Sequence, residues 1–176
     1  TGVLPILIAT DAIAVIVHAT NPVEGLSSDM LRDIFAGRMS RWSSVGGLDL
    51  PIHVVSREEG SGTRSSFDEL VMGGTSVTSS AVVQDSNGSI LETVASDPQA
   101  VGYVSFGLVD LRVKALAVDG VKPGPASARD GTYGIVRPFL FVTREQPTGI
   151  VKEFVDFVVS ERGQSILEDN GLIRAR

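Results

Sequence analysis

Residues 57–64 place two arginines around a short loop of glycine and hydroxyl residues, in the order Arg-Glu-Glu-Gly-Ser-Gly-Thr-Arg. Arg57 and Arg64 carry planar guanidinium groups, which form paired hydrogen bonds to the oxygens of carboxylates and phosphates. Ser61 and Thr63 add hydroxyl donors between them. Donors of these types at this spacing predict a binding site for a small oxyanion.

The elements on either side of the loop would hold these donors in place. Residues 52–55 form a short apolar run rich in β-branched side chains, which predicts a strand. Residues 63–71 have helical spacing, with their apolar side chains on one face. Gly60 and Gly62 carry no Cβ that would block a ligand. A strand, a Gly/Ser loop and a helix start direct backbone N–H groups to one point, where the helix dipole favours negative charge.

Motifs of catalysis are missing around this loop. No lysine follows it, as a phosphate-binding Walker loop requires, and the Gly-x-Ser-x-Gly pattern of a nucleophilic serine does not occur around Ser61. No general base lies near Ser61 in the sequence, so an enzyme is the least favoured class and we expect no catalytic residue. His18 and His53 have no carboxylate at ligand spacing, so neither a metal site nor a cofactor is expected.

The composition limits the classes of partner. The chain has 176 residues, enough for one domain or two small lobes, and its 43% hydrophobic content indicates a folded protein. Its formal net charge of −6 argues against nucleic acid and anionic lipid as partners, but screened distant charge does not exclude a small anion. The absence of cysteine rules out disulfides and thiolate chemistry. No stretch reaches the ~18 apolar residues of a membrane span.

The remaining elements alternate between strands and helices, which predicts an α/β fold. Residues 6–9 and 12–19 are expected to be two short strands, buried on both faces as in a parallel sheet. Residues 121–129 are expected to be a connection without regular structure, and residues 133–143 an extended segment with an edge position or kink at Pro138. Amphipathic patterns predict two final helices, at 149–159 and 163–172.

Together with its neighbours, the loop resembles the periplasmic phosphate-binding proteins of phosphate ABC transporters. The Arg-x-x-Gly-Ser-Gly-Thr run is the most specific part of the resemblance, and the other matching segments follow in the family's order. They are residues 11–18 with Asn21-Pro22, residues 31–37 with Trp42, residues 56–64 with Phe67, residues 86–88, residues 101–105, Arg137-Pro138, and residues 152–157 with Gly163-Gln164.

The resemblance implies a type II periplasmic binding protein fold, in which two lobes grip the ligand between them. It assigns residues 14–134 to the second, central lobe. Residues 1–13 and 135–176 would form hinge strands and the C-terminal part of the first lobe. Members of this family carry a further stretch before the equivalent of Thr1, which supplies the first lobe's phosphate contacts. We therefore expect one complete lobe plus part of the other, from a chain that begins within a longer protein and binds weakly alone.

The resemblance also assigns the ligand contacts. Arg57 matches the family's phosphate-binding arginine, and Ser61, Gly62 and Thr63 match the loop residues that donate to phosphate oxygens. Arg64 stands where the family varies and is given a weaker role. Outside these positions, Glu58 and Glu59 are expected to be solvated and Asp11 to be structural, and residues 86–88 are expected to cap a helix rather than line the cleft.

The function expected from the resemblance is the binding of inorganic phosphate and its delivery to the membrane permease subunits of an ABC transporter. The location would be periplasmic or extracellular, either free or anchored through a segment outside this sequence. Two alternatives remain open at this stage. The chain could bind another tetrahedral oxyanion, sulfate or molybdate, or it could be a sensory or scaffold domain that binds little.

Overall fold

A computed structural model describes residues 2–175 and confirms the α/β class. Its strands lie in two sheets, and the larger one has the order β4-β3-β5-β1-β6, with β8 and β9 also paired to β1. The strands are β1 (Leu4–His18), β2 (Gly25–Leu26), β3 (His53–Arg57), β4 (Val82–Gln84), β5 (Ala100–Ser105), β6 (Val113–Ala115), β7 (Ala117–Val118), β8 (Val136–Thr143) and β9 (Ile173–Arg174).

Helices alternate with these strands along the chain. The α-helices are α1 (Ser28–Phe35), α2 (Gly62–Phe67), α3 (Asn87–Ser96), α4 (Pro125–Arg129), α5 (Gly149–Val159) and α6 (Glu161–Asp169). Short 3-10 helices occupy Trp42–Val45 and Phe106–Leu108, and α2 continues directly into a π-helical turn at Asp68–Met72. The predicted helix at 149–159 is confirmed, and the last helix begins two residues before its predicted start because Ser160 caps it.

Strand β1 is the longest strand and joins the two parts of the large sheet. Its N-terminal part pairs with β8 and β9, and its C-terminal part pairs with β5 and β6. The prediction of two separate strands is wrong, because Asp11 is paired inside the sheet and the chain passes it without a break. Its pairing with β8 shifts register between Leu7 and Ala9.

The direction of the strands also differs from the sequence prediction. Every partner of β1 runs antiparallel to it, whereas β3 is parallel to both β4 and β5. A strand that is buried on both faces therefore lies here in a mixed sheet. Within the predicted connection at 121–129, the structure has the short helix α4, which begins at Pro125, a favoured residue for a first helical turn.

An aromatic cluster packs α1 and α2 against β5. The rings of Phe67 and Tyr103 are stacked with centroids 4.0 Å apart, and the Phe35 ring lies 4.7 Å from Phe67. All three side chains are fully buried. Aromatic packing of this kind contributes to stability beyond the area that it buries, so it holds α2 firmly at the end of β3.

Within residues 2–175, no helix is both long enough and apolar enough to cross a bilayer.

Gly102 of β5 tests how tightly α3 packs on the sheet. A Cβ on Gly102 would lie 2.9 Å from Cγ2 of Ile90 and 3.1 Å from Cγ2 of Val94. We expect Gly102→Ala to lower the free energy of unfolding by about 1–3 kcal/mol, as overpacked cores do. Urea denaturation measures this change. Gly134→Ala is the control, because nothing lies within 4 Å of its Cβ position; equal stability of both variants would show that α3 packs more loosely.

Candidate functional site

The loop between β3 and α2 has the geometry of a helix cap. Ser61 is the N-cap residue of α2, and its Oγ accepts a hydrogen bond from the backbone N–H of Arg64 at 3.3 Å. Gly60 has a φ of 93°, a conformation that glycine adopts without strain. A serine hydroxyl can accept and donate at the same time, so the Ser61 proton remains available to a ligand.

Backbone and hydroxyl donors meet at the exposed mouth of this loop. Gly62 and Thr63 begin α2, and N–H groups in a first helical turn have no acceptor within their own helix. Gly62 is exposed, whereas its neighbours Ser61 and Thr63 are buried. The structure thus brings together the three loop residues predicted from the sequence. Their contact with a ligand stays a prediction.

Arg57 reaches the same loop, but its guanidinium group is largely occupied. Nε donates to Glu58 Oε2 at 3.0 Å and Nη2 to Glu58 Oε1 at 2.9 Å, which forms a bidentate ion pair. Nη2 also donates to the backbone oxygen of Asp85, and Nη1 donates to Asn87 Oδ1 at 3.2 Å. The expectation that Glu58 is merely solvated is wrong. An anion would have to share Arg57 with this carboxylate or displace it.

Glu58 therefore acts as an internal anion at the arginine. Hydrogen bonds from Arg57 hold the pKa of Glu58 below its ordinary value, so this carboxylate is ionised at neutral pH. Within residues 2–175, one of the five N–H groups of Arg57, on Nη1, has no partner in the structure.

Arg64 is hydrogen-bonded to other parts of the chain. Its Nη1 donates to the backbone oxygen of Arg57 at 2.7 Å, and its Nε donates to Asp68 Oδ2 at 3.3 Å. These contacts fasten α2 to the end of β3, a structural role that fits the weaker assignment made from the sequence.

Below the loop, Tyr103 Oη accepts from the backbone N–H of Arg57 at 3.4 Å and is hydrogen-bonded to Ser56 Oγ at 2.9 Å. Burial raises the pKa of Tyr103, which keeps the phenol neutral.

The segment 86–88 has the capping role that was predicted for it. Ser86 is the N-cap of α3, and its Oγ accepts from the backbone N–H of Ser89 at 3.0 Å. Asn87 adds a contact that the sequence did not predict, since its side-chain oxygen accepts from Arg57. The start of α3 therefore contacts this arginine directly.

A second arginine, which was not assigned to the site from the sequence, also reaches the loop. Arg137 of β8 stands opposite Asp11 of β1, and its Nε and Nη2 donate to Asp11 Oδ2 at 3.0 and 2.8 Å. Its Nη1 lies 3.5 Å from the position that a Cβ on Gly62 would take. Asp11 and Arg137 are each the one charged residue of a largely apolar strand, a signal that marks each of them but does not show that the two meet.

A metal site would require several ligating side chains close together among the described residues. Among residues 2–175, no group of three or more histidine, cysteine or carboxylate side chains could hold a metal ion. His53 is instead paired with Asp97 at the surface, with 2.6 Å between Nδ1 and Oδ2. The described residues around Gly62 thus form a set of hydrogen-bond donors.

Comparison with known proteins places these features in a family. A family model described as a PBP superfamily domain matches residues 1–162. Phosphate-binding protein PstS of Bacillus subtilis is 37% identical over 160 residues, which cover 88% of this chain and 53% of that protein. The chain therefore spans about half the length of this curated relative.

Solved structures extend the similarity to the fold. A putative phosphate ABC transporter substrate-binding protein from Clostridium perfringens, crystallised with bound phosphate, is 41% identical with a TM-score of 0.90, over 99% of this chain and 73% of that chain. An ABC-type phosphate transport receptor from Vibrio cholerae is 35% identical with a TM-score of 0.89. The match covers 98% of this chain and 73% of the receptor chain. The chain therefore has the type II periplasmic binding protein fold predicted from its sequence, and it belongs to the PBP superfamily, among the phosphate-binding proteins of phosphate ABC transporters.

Proposed function

We propose that the chain binds inorganic phosphate as the substrate-binding component of a phosphate ABC transporter. The observation that carries the proposal is the donor loop at the start of α2, in a chain 41% identical to a protein crystallised with phosphate. The protein would be a binder rather than an enzyme. It would act outside the cytoplasm and release phosphate to the permease subunits of the transporter.

Phosphate would be held by hydrogen bonds from the loop. The backbone N–H groups of Gly62 and Thr63, together with the hydroxyls of Ser61 and Thr63, would donate to its oxygens. Arg57 would add charge and the remaining N–H of its Nη1. Each hydrogen bond to a charged group is worth about 1.5–3 kcal/mol where its loss leaves a buried group unpaired. No metal and no cofactor enters this scheme.

We further propose that the ligand lies beside a hinge between two lobes. Residues 14–134 would form the lobe that carries the loop, with residues 1–13 and 135–176 in the hinge and the other lobe. The course of β1 supports this division, because its first part pairs with β8 and β9 and its last part with β5 and β6. Opening and closing about such a hinge would control uptake and release.

Arg57 provides the first test of this function. We expect Arg57→Ala to weaken phosphate binding by roughly 10- to 100-fold, because the variant loses charge-assisted hydrogen bonds at the loop. Isothermal titration of the chain with phosphate, sulfate and molybdate measures affinity and preference. Phosphate-induced shifts of the Gly62 amide signal in NMR spectra locate the bound anion. Arg38→Ala is the control, because Arg38 is an exposed arginine paired with Asp33.

Three outcomes of these titrations would contradict the proposal. Tighter binding of sulfate or molybdate than of phosphate would replace phosphate with another oxyanion. If none of the three anions gives a heat of binding or a shift of the Gly62 amide signal, the chain is instead a sensory or scaffold domain that binds little. Unchanged phosphate affinity in Arg57→Ala would show that the anion binds elsewhere on the chain.

Gly62→Ala separates binding from folding. Its added methyl group would make only an ordinary 3.5 Å contact with Arg137 Nη1, at a backbone conformation that alanine can adopt. We expect unchanged thermal stability but at least about tenfold weaker phosphate binding, since the methyl group would stand where the anion meets the loop N–H groups. Gly88→Ala adds a methyl group near the start of α3, 3.8 Å from Ser86 Oγ, and serves as the control. Full affinity in Gly62→Ala would place the ligand away from this face.

A further inference from the structure

We propose that Arg137 is a second arginine that contacts the bound anion, an inference that rests on the phosphate-binding function proposed above. Its free amino group, Nη1, would donate to the anion beside Gly62 at the start of α2. The loop from Arg57 to Thr63 would then form only part of the donor set, and β8 would complete it.

Two neighbours, Asp11 and Phe139, hold the Arg137 guanidinium group, and its free nitrogen lies near Gly62. Nε and Nη2 both donate to Oδ2 of Asp11, at 3.0 and 2.8 Å. Its central carbon lies 5.1 Å from the ring centroid of Phe139, within the range of a cation–π contact. A Cβ on Gly62 would lie 3.5 Å from Nη1. The group is therefore held in one orientation, with Nη1 towards the start of α2.

The Asp11 carboxylate is itself held in place. It is completely buried, and its Oδ1 accepts from the Ser105 hydroxyl at 2.6 Å. With Ser105 on Oδ1 and Arg137 on Oδ2, both of its oxygens are hydrogen-bonded, which fixes the carboxylate beside Arg137. Asp11 is thus a positioning residue that acts through Arg137.

The free donors of the two arginines differ. Arg57 has four of its five N–H groups committed to Glu58, Asp85 and Asn87. In Arg137, both N–H groups of Nη1 lack a partner among residues 2–175. The Arg137 side chain is only 16% exposed, so water screens its charge poorly and leaves these donors few alternatives to a ligand. Arg137 can therefore give an oxyanion two hydrogen bonds without breaking an existing one.

The test compares three variants by isothermal titration with inorganic phosphate. Arg137→Gln removes the guanidinium group but leaves Asp11 as a buried, unpaired carboxylate, which can unfold the chain. The double variant Asp11→Asn/Arg137→Gln removes both charges, keeps the net charge of the chain and leaves two amides that can bond to each other. Arg112→Gln is the control, because Arg112 is an exposed arginine paired with Asp110 and Glu92.

We expect Arg137→Gln, where it folds, and the double variant to bind phosphate roughly 10- to 100-fold more weakly than the unaltered chain. The control should stay within about twofold, and thermal unfolding should show that each compared variant is folded. In the unaltered chain, phosphate should shift the guanidinium NMR signals of Arg137. A merely structural arginine would not give that shift.

The contrary outcomes separate this inference from the function itself. If the folded double variant keeps full affinity while Arg57→Ala loses it, Arg137 does not touch the anion and the phosphate-binding function stands. An Arg137 guanidinium signal that stays unshifted at saturating phosphate would likewise exclude contact between Arg137 and the anion. If the unaltered chain binds no phosphate, the proposed function and the role of Arg137 fail together.

Discussion

The buried ion pair between Asp11 and Arg137 is the constraint on which the rest of the structure depends. A carboxylate that is fully buried costs several kcal/mol in lost hydration unless its oxygens are paired, and here both oxygens are paired. The pair lets β1 run without a break from β8 to β5, so the two parts of the large sheet share one strand. It also fixes a guanidinium group beside the loop at Gly62, 75 positions before Arg137 in the chain.

The loop owes its shape to contacts on both sides. Ser61 caps α2 from within the loop, and Arg64 ties the first turn of that helix back to the end of β3. Beneath it, the stack of Phe67 on Tyr103 fixes the other face of α2 to the sheet. Because these contacts are made within the chain itself, they hold the backbone donors of Gly62 and Thr63 in place. Preorganised donors lose little entropy when an anion binds.

Local signals in the sequence were sufficient to predict the loop and the elements on either side of it. Contacts between residues far apart in the sequence could not be predicted in this way. The β-branched run at 52–55 predicted the strand, the small residues at 60–63 predicted the loop, and the apolar spacing at 63–71 predicted the helix. Arg137 and Asp11 lie 126 positions apart, and no local rule states that they meet. Strand direction was missed for a related reason, since a run such as β1, buried on both faces, fits a parallel or an antiparallel neighbour equally well.

The charges of the site explain how a chain with a net charge of −6 could hold an anion. The two arginines proposed to contact the anion each have a carboxylate partner, Glu58 for Arg57 and Asp11 for Arg137, so the formal charge of these four groups is zero. Attraction by net local charge is therefore small. In the proposed site, selection would come from the number and direction of donors, which a tetrahedral oxyanion can satisfy at several oxygens at once. A planar carboxylate offers only two oxygens in one plane, so it would leave part of this donor set unpaired.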